Sequence, residues 1–169
     1  MVKNQKRSEF IGQINANHKI LAKICHIYGA DEEDRQDLFQ EMVGELWKSY
    51  STFSGKAKFS TWLYRVALNT ALYHGRKIRK QKLTQQVMED LYFSFKSREK
   101  ERIILEIKQL YQAINELNKI DKAIVLLYLE QRTYQEMADI LGISKSNVSV
   151  KLVRAKEKLL KVFKKNYAD

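Results

Sequence analysis

Residues 133–159 read TYQEMADILGISKSNVSVKLVRAKEKL, and their reading decides the fold. Thr133 and Glu136 have the T-x-x-E spacing of a capping box, which starts a helix by satisfying orphan backbone donors in its first turn. Ala138 is small where two helices must cross closely. Gly142 falls in the tight turn, where a positive φ is cheap only for glycine. Ser144 can cap a second helix. Ile143, Val148 and Leu152 supply the apolar contacts that hold that helix against the first. A small residue, a glycine turn and an apolar anchor in this order make a helix-turn-helix, and the basic face beside them separates it from an ordinary helical hairpin.

Helical geometry divides the second helix. At about 100° per residue, Val148 and Leu152 face inward, and Ser146, Ser149, Val150, Val153 and Arg154 point to the opposite side. Those five are the candidates for base edges in a DNA major groove. Lys145 and Lys151 lie on the flanks, placed for phosphates, and Lys156 and Lys158 extend the basic surface. Arg154 leads as a specific contact, because its planar fork can engage guanine bidentately. The face is otherwise short and apolar, which implies modest specificity.

Outward from this motif the charge is sorted into patches. The chain has 169 residues and a formal net charge of +11. Residues 64–82 carry six Lys/Arg and no acid, and residues 145–165 carry eight Lys/Arg and one acid. Residues 31–45 run the other way, with seven acids and one Arg. Sorted charge of this kind points to a polyanionic partner, with nucleic acid ahead of a membrane surface. With 44% hydrophobic residues the chain can build cores, so it is not a disordered polyelectrolyte. With no proline and only six glycines, little forces it out of helix.

Several classes fall away. Cys25 is the single cysteine, so no intrachain disulfide can form, and it sits in an apolar helical stretch as a core residue. His18, His26 and His74 are scattered; His18 and Cys25 could share a helix face, but two ligands do not make a metal site. No stretch approaches the ~18 apolar residues of a membrane span. The N-terminus, MVKNQKRSEF, lacks a signal-type apolar core, so the cytoplasm is expected. No carboxylate pair, nucleophile–base set or phosphate-binding glycine loop supports catalysis. The expectation is therefore a non-enzyme without cofactor or metal.

The rest of the chain is read as helices. Phe10, Ile11, Ile14, Leu21, Ile24 and Tyr28 have helical spacing over 8–28, punctuated by Gly29. A second helix spans 31–50, with acids early and Leu38, Met42, Val43, Leu46 and Trp47 along one face. Residues 51–58, STFSGKAK, form a loop with Phe53 as an exposed aromatic. Ser60 can cap a helix over 61–79 that buries Trp62, Leu63, Val66 and Ala67 and ends in a basic run. Helices resume at about 101–117 and 120–130. The fold class is all-α: two small helical domains, 1–80 and 101–169, joined by a linker over 81–100, the second containing the helix-turn-helix.

Two further segments narrow the reading: Asp37-Leu38-Phe39-Gln40-Glu41 running on to Leu46-Trp47, and Phe59-Ser60-Thr61-Trp62-Leu63-Tyr64-Arg65-Val66-Ala67-Leu68-Asn69-Thr70-Ala71. Together with TYQEMADILGIS they resemble the bacterial sigma-70 family of RNA polymerase sigma factors, and within it the short extracytoplasmic-function (ECF) subfamily. The resemblance covers about residues 8–80 and 101–163. It implies that the first segment is the family's domain two and the second its domain four, with domain three absent.

By this resemblance, the chain is an alternative sigma factor that binds core RNA polymerase and directs promoter recognition, DNA opening and transcription initiation. Polymerase binding would fall on Asp37, Leu38, Gln40 and Glu41, with Leu46 and Trp47 nearby. Capture of the single-stranded −10 element would fall on the 51–58 loop and the helix after it. There Phe53 offers a stacking surface and Asn69 a donor and acceptor for a base edge. Lys56, Lys58, Arg65, Arg76 and Lys77 would hold phosphates, with Tyr73 on the same surface. The helix-turn-helix would read the −35 element as duplex. An anti-sigma factor is a further partner that the resemblance brings into view, and the free protein is expected to be a monomer.

The chain departs from the family pattern in places. Many relatives carry an acid where Tyr73 stands, and often Leu-Pro where this chain has Leu117-Asn118. The base-reading positions are usually more basic than Ser149 and Val150. These departures bear on the promoter sequence, not the fold.

Overall fold

In the computed structural model, which describes residues 2–74 and 98–167, every regular element is helical. Eight α-helices follow in order: α1 (Val2–Ala16), α2 (His18–Tyr28), α3 (Glu32–Ser49), α4 (Phe59–Tyr73), α5 (Arg98–Asn115), α6 (Lys119–Leu129), α7 (Tyr134–Leu141) and α8 (Lys145–Tyr167). A short 3-10 turn, Tyr50–Thr52, closes α3. The chain divides into two units, the first built on α1–α4 and the second on α5, α6, α8 and the first five residues of α7. Most of the expected 81–100 linker lies outside the described residues, and its last three residues already belong to α5.

In the first unit, α2, α3 and α4 pack mutually around Leu21, Ile24, Leu38, Met42, Leu63 and Leu68, all essentially without solvent exposure. The 8–28 stretch is two helices rather than one. Asn17 leaves helical geometry at φ −117°, ψ 12°, and its side-chain amide donates to the Gln13 carbonyl at 2.8 Å. A local side-chain bond of this kind competes with the helical ladder. Chain direction then reverses at Gly29, where a Cβ would stand 2.5 Å from Arg35 Cγ and 2.8 Å from the Cys25 carbonyl oxygen. Glycine is required here by close approach of α2 to α3, not by its backbone angles.

The acidic start of α3 is well capped. Asp31 accepts from the Asp34 N–H at 2.9 Å, and Asp34 accepts from the Ala30 N–H at 2.7 Å. Both carboxylates sit where the helix dipole favours negative charge. Cys25 is buried, and that burial pushes its thiol up to about 12, against a smaller opposing pull from the Arg35 charge. It is a packed, unreactive group.

The α4 boundaries differ from expectation. The helix starts at Phe59 after Lys58 and not at a Ser60 cap, and it ends at Tyr73 rather than residue 79. His74 leaves helical angles (φ −57°, ψ 131°) while its N–H still donates to the Thr70 carbonyl at 2.8 Å.

In the second unit, α8 packs along α6, and Ile114, Ile124, Leu127, Val148, Leu152 and Ala155 are buried. Asn118 caps α6 by accepting from the Asp121 N–H at 2.9 Å. The α7 cap follows the sequence reading: Thr133 and Glu136 form the reciprocal capping box, and Gly142 ends the helix at φ 67°, ψ 32°. Nothing lies within 4 Å of a Cβ placed at Gly142, so its backbone angle alone demands glycine. The Asn147 N–H donates to Ser144 Oγ at 3.2 Å, which starts α8 as expected. Among the described residues, no helix is long and apolar enough to cross a membrane.

Candidate nucleic-acid interface

The outward face of α8 is set by what lies beneath it. Val148, Leu152 and Ala155 are buried, which leaves Lys145, Ser146, Val150, Val153 and Arg154 exposed. Ser149 and Lys151 are only half-buried and stand on the flanks of the helix. The Ser146 hydroxyl lies 3.0 Å from that of Ser144, so it is shared with the helix cap.

Sequence reasoning missed Asn147. It is exposed, one turn before Val150 and two before Arg154, and its amide could read an adenine edge. The signal was available: the same 100° arithmetic puts it about 60° from Val150.

Two lysines read as free basic surface are engaged. Lys158 Nζ meets Asp121 Oδ2 at 2.5 Å, and Asn118 Nδ2 donates to the same oxygen at 2.7 Å. Lys156 Nζ stands 3.8 Å from the centre of the Tyr128 ring. Asp121 is buried, so Lys158 neutralises an interior carboxylate. The Lys156 contact is a cation–π pair. Lys145, Lys151 and Arg154 are the other cations of α8 up to residue 158.

In the first unit, Arg65, Asn69 and Tyr73 are four residues apart and form one exposed stripe along α4. Tyr73 is the most open, at 86% exposure. Lys56 and Lys58 are exposed on the preceding loop, while Arg76 and Lys77 lie outside the described residues.

Phe53 is not a free aromatic. It is half-buried, 5.4 Å from the Phe59 ring and 5.3 Å from Trp62. These rings continue a cluster through Tyr50, Trp47 and Phe10. Beside it runs a groove lined by Gln5, Lys6, Glu9, Tyr50, Ser51 and Phe53, with Lys6 Nζ 5.9 Å from the Tyr50 ring centre. Lys6 and Tyr50 escaped the sequence reading because they meet only through the fold.

On α3, Asp37, Gln40, Glu41 and Trp47 are exposed, whereas Leu38 and Leu46 have no exposure at all. The two leucines anchor the helix from beneath instead of presenting a contact surface. Glu41 is also held: its Oε2 lies 2.5 Å from His74 Nδ1, while His74 Nε2 lies 3.0 Å from Asp34 Oδ1. Burial of His74 works against its charged form, but its hydrogen bonds and the charges of Glu41 and Asp34 outweigh this and raise its pKa. His74, read as one of three scattered histidines, fastens the end of α4 to α3.

A lysine-flanked helix-turn-helix on one unit, and on the other the exposed Arg65–Asn69–Tyr73 stripe of α4 beside the acidic α3, are features of a helical DNA-binding protein. The family profile "Sigma-70 region 2" matches residues 13–82, and "Sigma-70, region 4" matches residues 107–159. The RNA polymerase sigma-H factor of Pseudomonas aeruginosa is 25% identical over 168 residues, covering 92% of this chain and 86% of the relative. The ECF RNA polymerase sigma factor SigG of Mycobacterium tuberculosis is 33% identical over 78 residues, 45% of this chain; that match spans only 21% of SigG. The solved structure of sigma factor RpoE from Bartonella quintana, in complex with the anti-sigma factor NepR, superposes with a TM-score of 0.66 at 16% identity. It covers 94% of this chain and 98% of RpoE. The chain belongs to the sigma-70 family of RNA polymerase sigma factors, in its extracytoplasmic-function group.

Proposed function

We propose that this chain is an alternative sigma factor that joins core RNA polymerase, recognises a promoter at two elements and opens the DNA between them and the start site. The observation that carries this reading is the order of the two matched regions on two helical units, region 2 over 13–82 and region 4 over 107–159. Residues 1–80 act as domain two, 81–100 as the linker and 101–169 as domain four. The protein works in the cytoplasm, and catalysis stays with the polymerase.

In this reading the exposed acids of α3, Asp37 and Glu41, with Gln40 and Trp47, meet the polymerase, and their charge suits a basic partner patch. The α4 stripe Arg65–Asn69–Tyr73, Lys56, Lys58 and the Phe53 edge hold the −10 single strand, together with Arg76 and Lys77. At −35, Lys145 and Lys151 set the register on phosphates, and Ser146, Val150, Val153 and Arg154 face the bases, with Ser149 at the edge of that face. An anti-sigma protein is proposed as a further partner, on the likeness to RpoE in its NepR complex.

The test is association of the purified full chain with core polymerase, followed by run-off transcription from a mixed library of genomic fragments. The expected result is a stable complex that initiates at a discrete set of starts sharing two sequence blocks. A protein that ignores core polymerase yet shifts duplex DNA alone would be a free-standing regulator, and the proposal would fall.

A further inference from the structure

The reading face of α8 has a chemistry that charge alone does not explain. Val150 and Val153 are 49% and 54% exposed, while Val148 and Leu152 on the same helix have almost no exposure. The two outward valines add little to the core. β-Branched residues are also weaker helix formers than alanine, so helix stability does not account for them. They stand between cations: residues 145–156 hold Lys145, Lys151, Arg154 and Lys156 and no acid. That complementarity to phosphate, on the second helix of a helix-turn-helix, argues for duplex DNA as the occupant of this face.

Within a major groove, a valine isopropyl group can neither donate nor accept a hydrogen bond, so most of each base edge is mute to it. The apolar feature that a base pair displays there is the thymine 5-methyl. Three residues of α-helix rise about 4.5 Å, close to a single base step of about 3.4 Å. Two valines so spaced can therefore touch neighbouring base pairs.

We infer that Val150 and Val153 read thymine through its 5-methyl group, so the −35 element of this protein contains thymines at adjacent or next-adjacent steps whose methyls determine affinity. This rests on the proposed function and specifies what its −35 surface recognises. Arg154 and the lysines then supply guanine contact and general affinity, and the valines supply discrimination that salt does not screen.

The test uses the full chain with core polymerase and the best fragment selected by run-off transcription. Each thymine of its −35 block is replaced singly by 2′-deoxyuridine, which deletes only the methyl. The expected result is an about three- to tenfold loss of holoenzyme affinity at one or two neighbouring thymines. Val150→Ala should abolish that difference at one position and Val153→Ala at the other, while Leu160→Ser, exposed farther along α8, should leave both differences intact. Three results would overturn the inference: no thymine responding, a response unchanged in both valine variants, or a selected −35 block without thymine. Indifference to deoxyuridine combined with weaker capture of a protein partner by the valine variants would give the face to that partner and overturn it equally. If no −35 block is selected because the chain fails to join core polymerase, the proposed function itself fails and takes this inference with it.

Discussion

The two units fasten their working helices with charged clusters of opposite design. In the first, His74 at the end of α4 bridges Asp34 and Glu41 of α3. In the second, Lys158 of α8 reaches buried Asp121 of α6, which Asn118 also holds. The first cluster draws on the exposed acidic surface that would meet a partner, since the Glu41 side chain remains 49% exposed. The second keeps its carboxylate inside, with the Asp121 side chain only 7% exposed, and the residue that holds it, Lys158, is not the Arg154 that would read DNA one turn earlier on α8. Fold and recognition share residues in the α3–α4 pair and are separated in the α6–α8 pair.

That contrast can be broken most forcefully on α3. Reversing Gln40 and Glu41 to lysines should abolish association with core polymerase and also destabilise the first unit, because a lysine at 41 faces His74. Retained association in a pull-down would move the polymerase surface elsewhere. Lys158→Ala should do the opposite: it strands a buried carboxylate and costs about 2 kcal/mol in denaturant unfolding, while polymerase association persists in the folded protein. Loss of association at unchanged stability would erase the distinction.

Arg154→Ala should cost roughly 1–3 kcal/mol of discrimination between −35 sequences and leave unfolding unchanged. Discrimination that survives in competition binding would remove Arg154 from the readout. The smallest effect is pH dependence. Because His74 is raised above its ordinary 6.5, its stabilisation is complete below that value and is lost as pH rises through the higher folded value. Melting temperature should fall over that rise, and His74→Gln should flatten the profile. A profile unchanged by the substitution would make the cluster incidental.

How much was legible follows the same division. The helix-turn-helix could be read because its determinants are local: the Thr133–Glu136 box, Gly142 in the turn and Ser144 at the next cap all act within a few residues. The all-helical class followed from spacing that needs no distant partner. The break at Asn17 was not legible, because apolar periodicity runs across it and only a side-chain bond to Gln13 marks it. The early end of α4 and the role of His74 depend on acids 33 and 40 residues away, which no local pattern encodes. Leu38 and Leu46 belong to a motif whose polar members face outward, so motif membership alone could not separate anchor from contact. For Phe53 the loop composition suggested exposure, whereas packing on Phe59 and Trp62 half-covers it.

The most direct test of the central claim is permanganate and DNase footprinting of one selected promoter with the full chain, with and without core polymerase. The account predicts a protected −35 duplex together with permanganate-reactive thymines near −10, both appearing only when chain and core are present. Protection of duplex by the chain alone, with no reactive thymines when core is added, would contradict it.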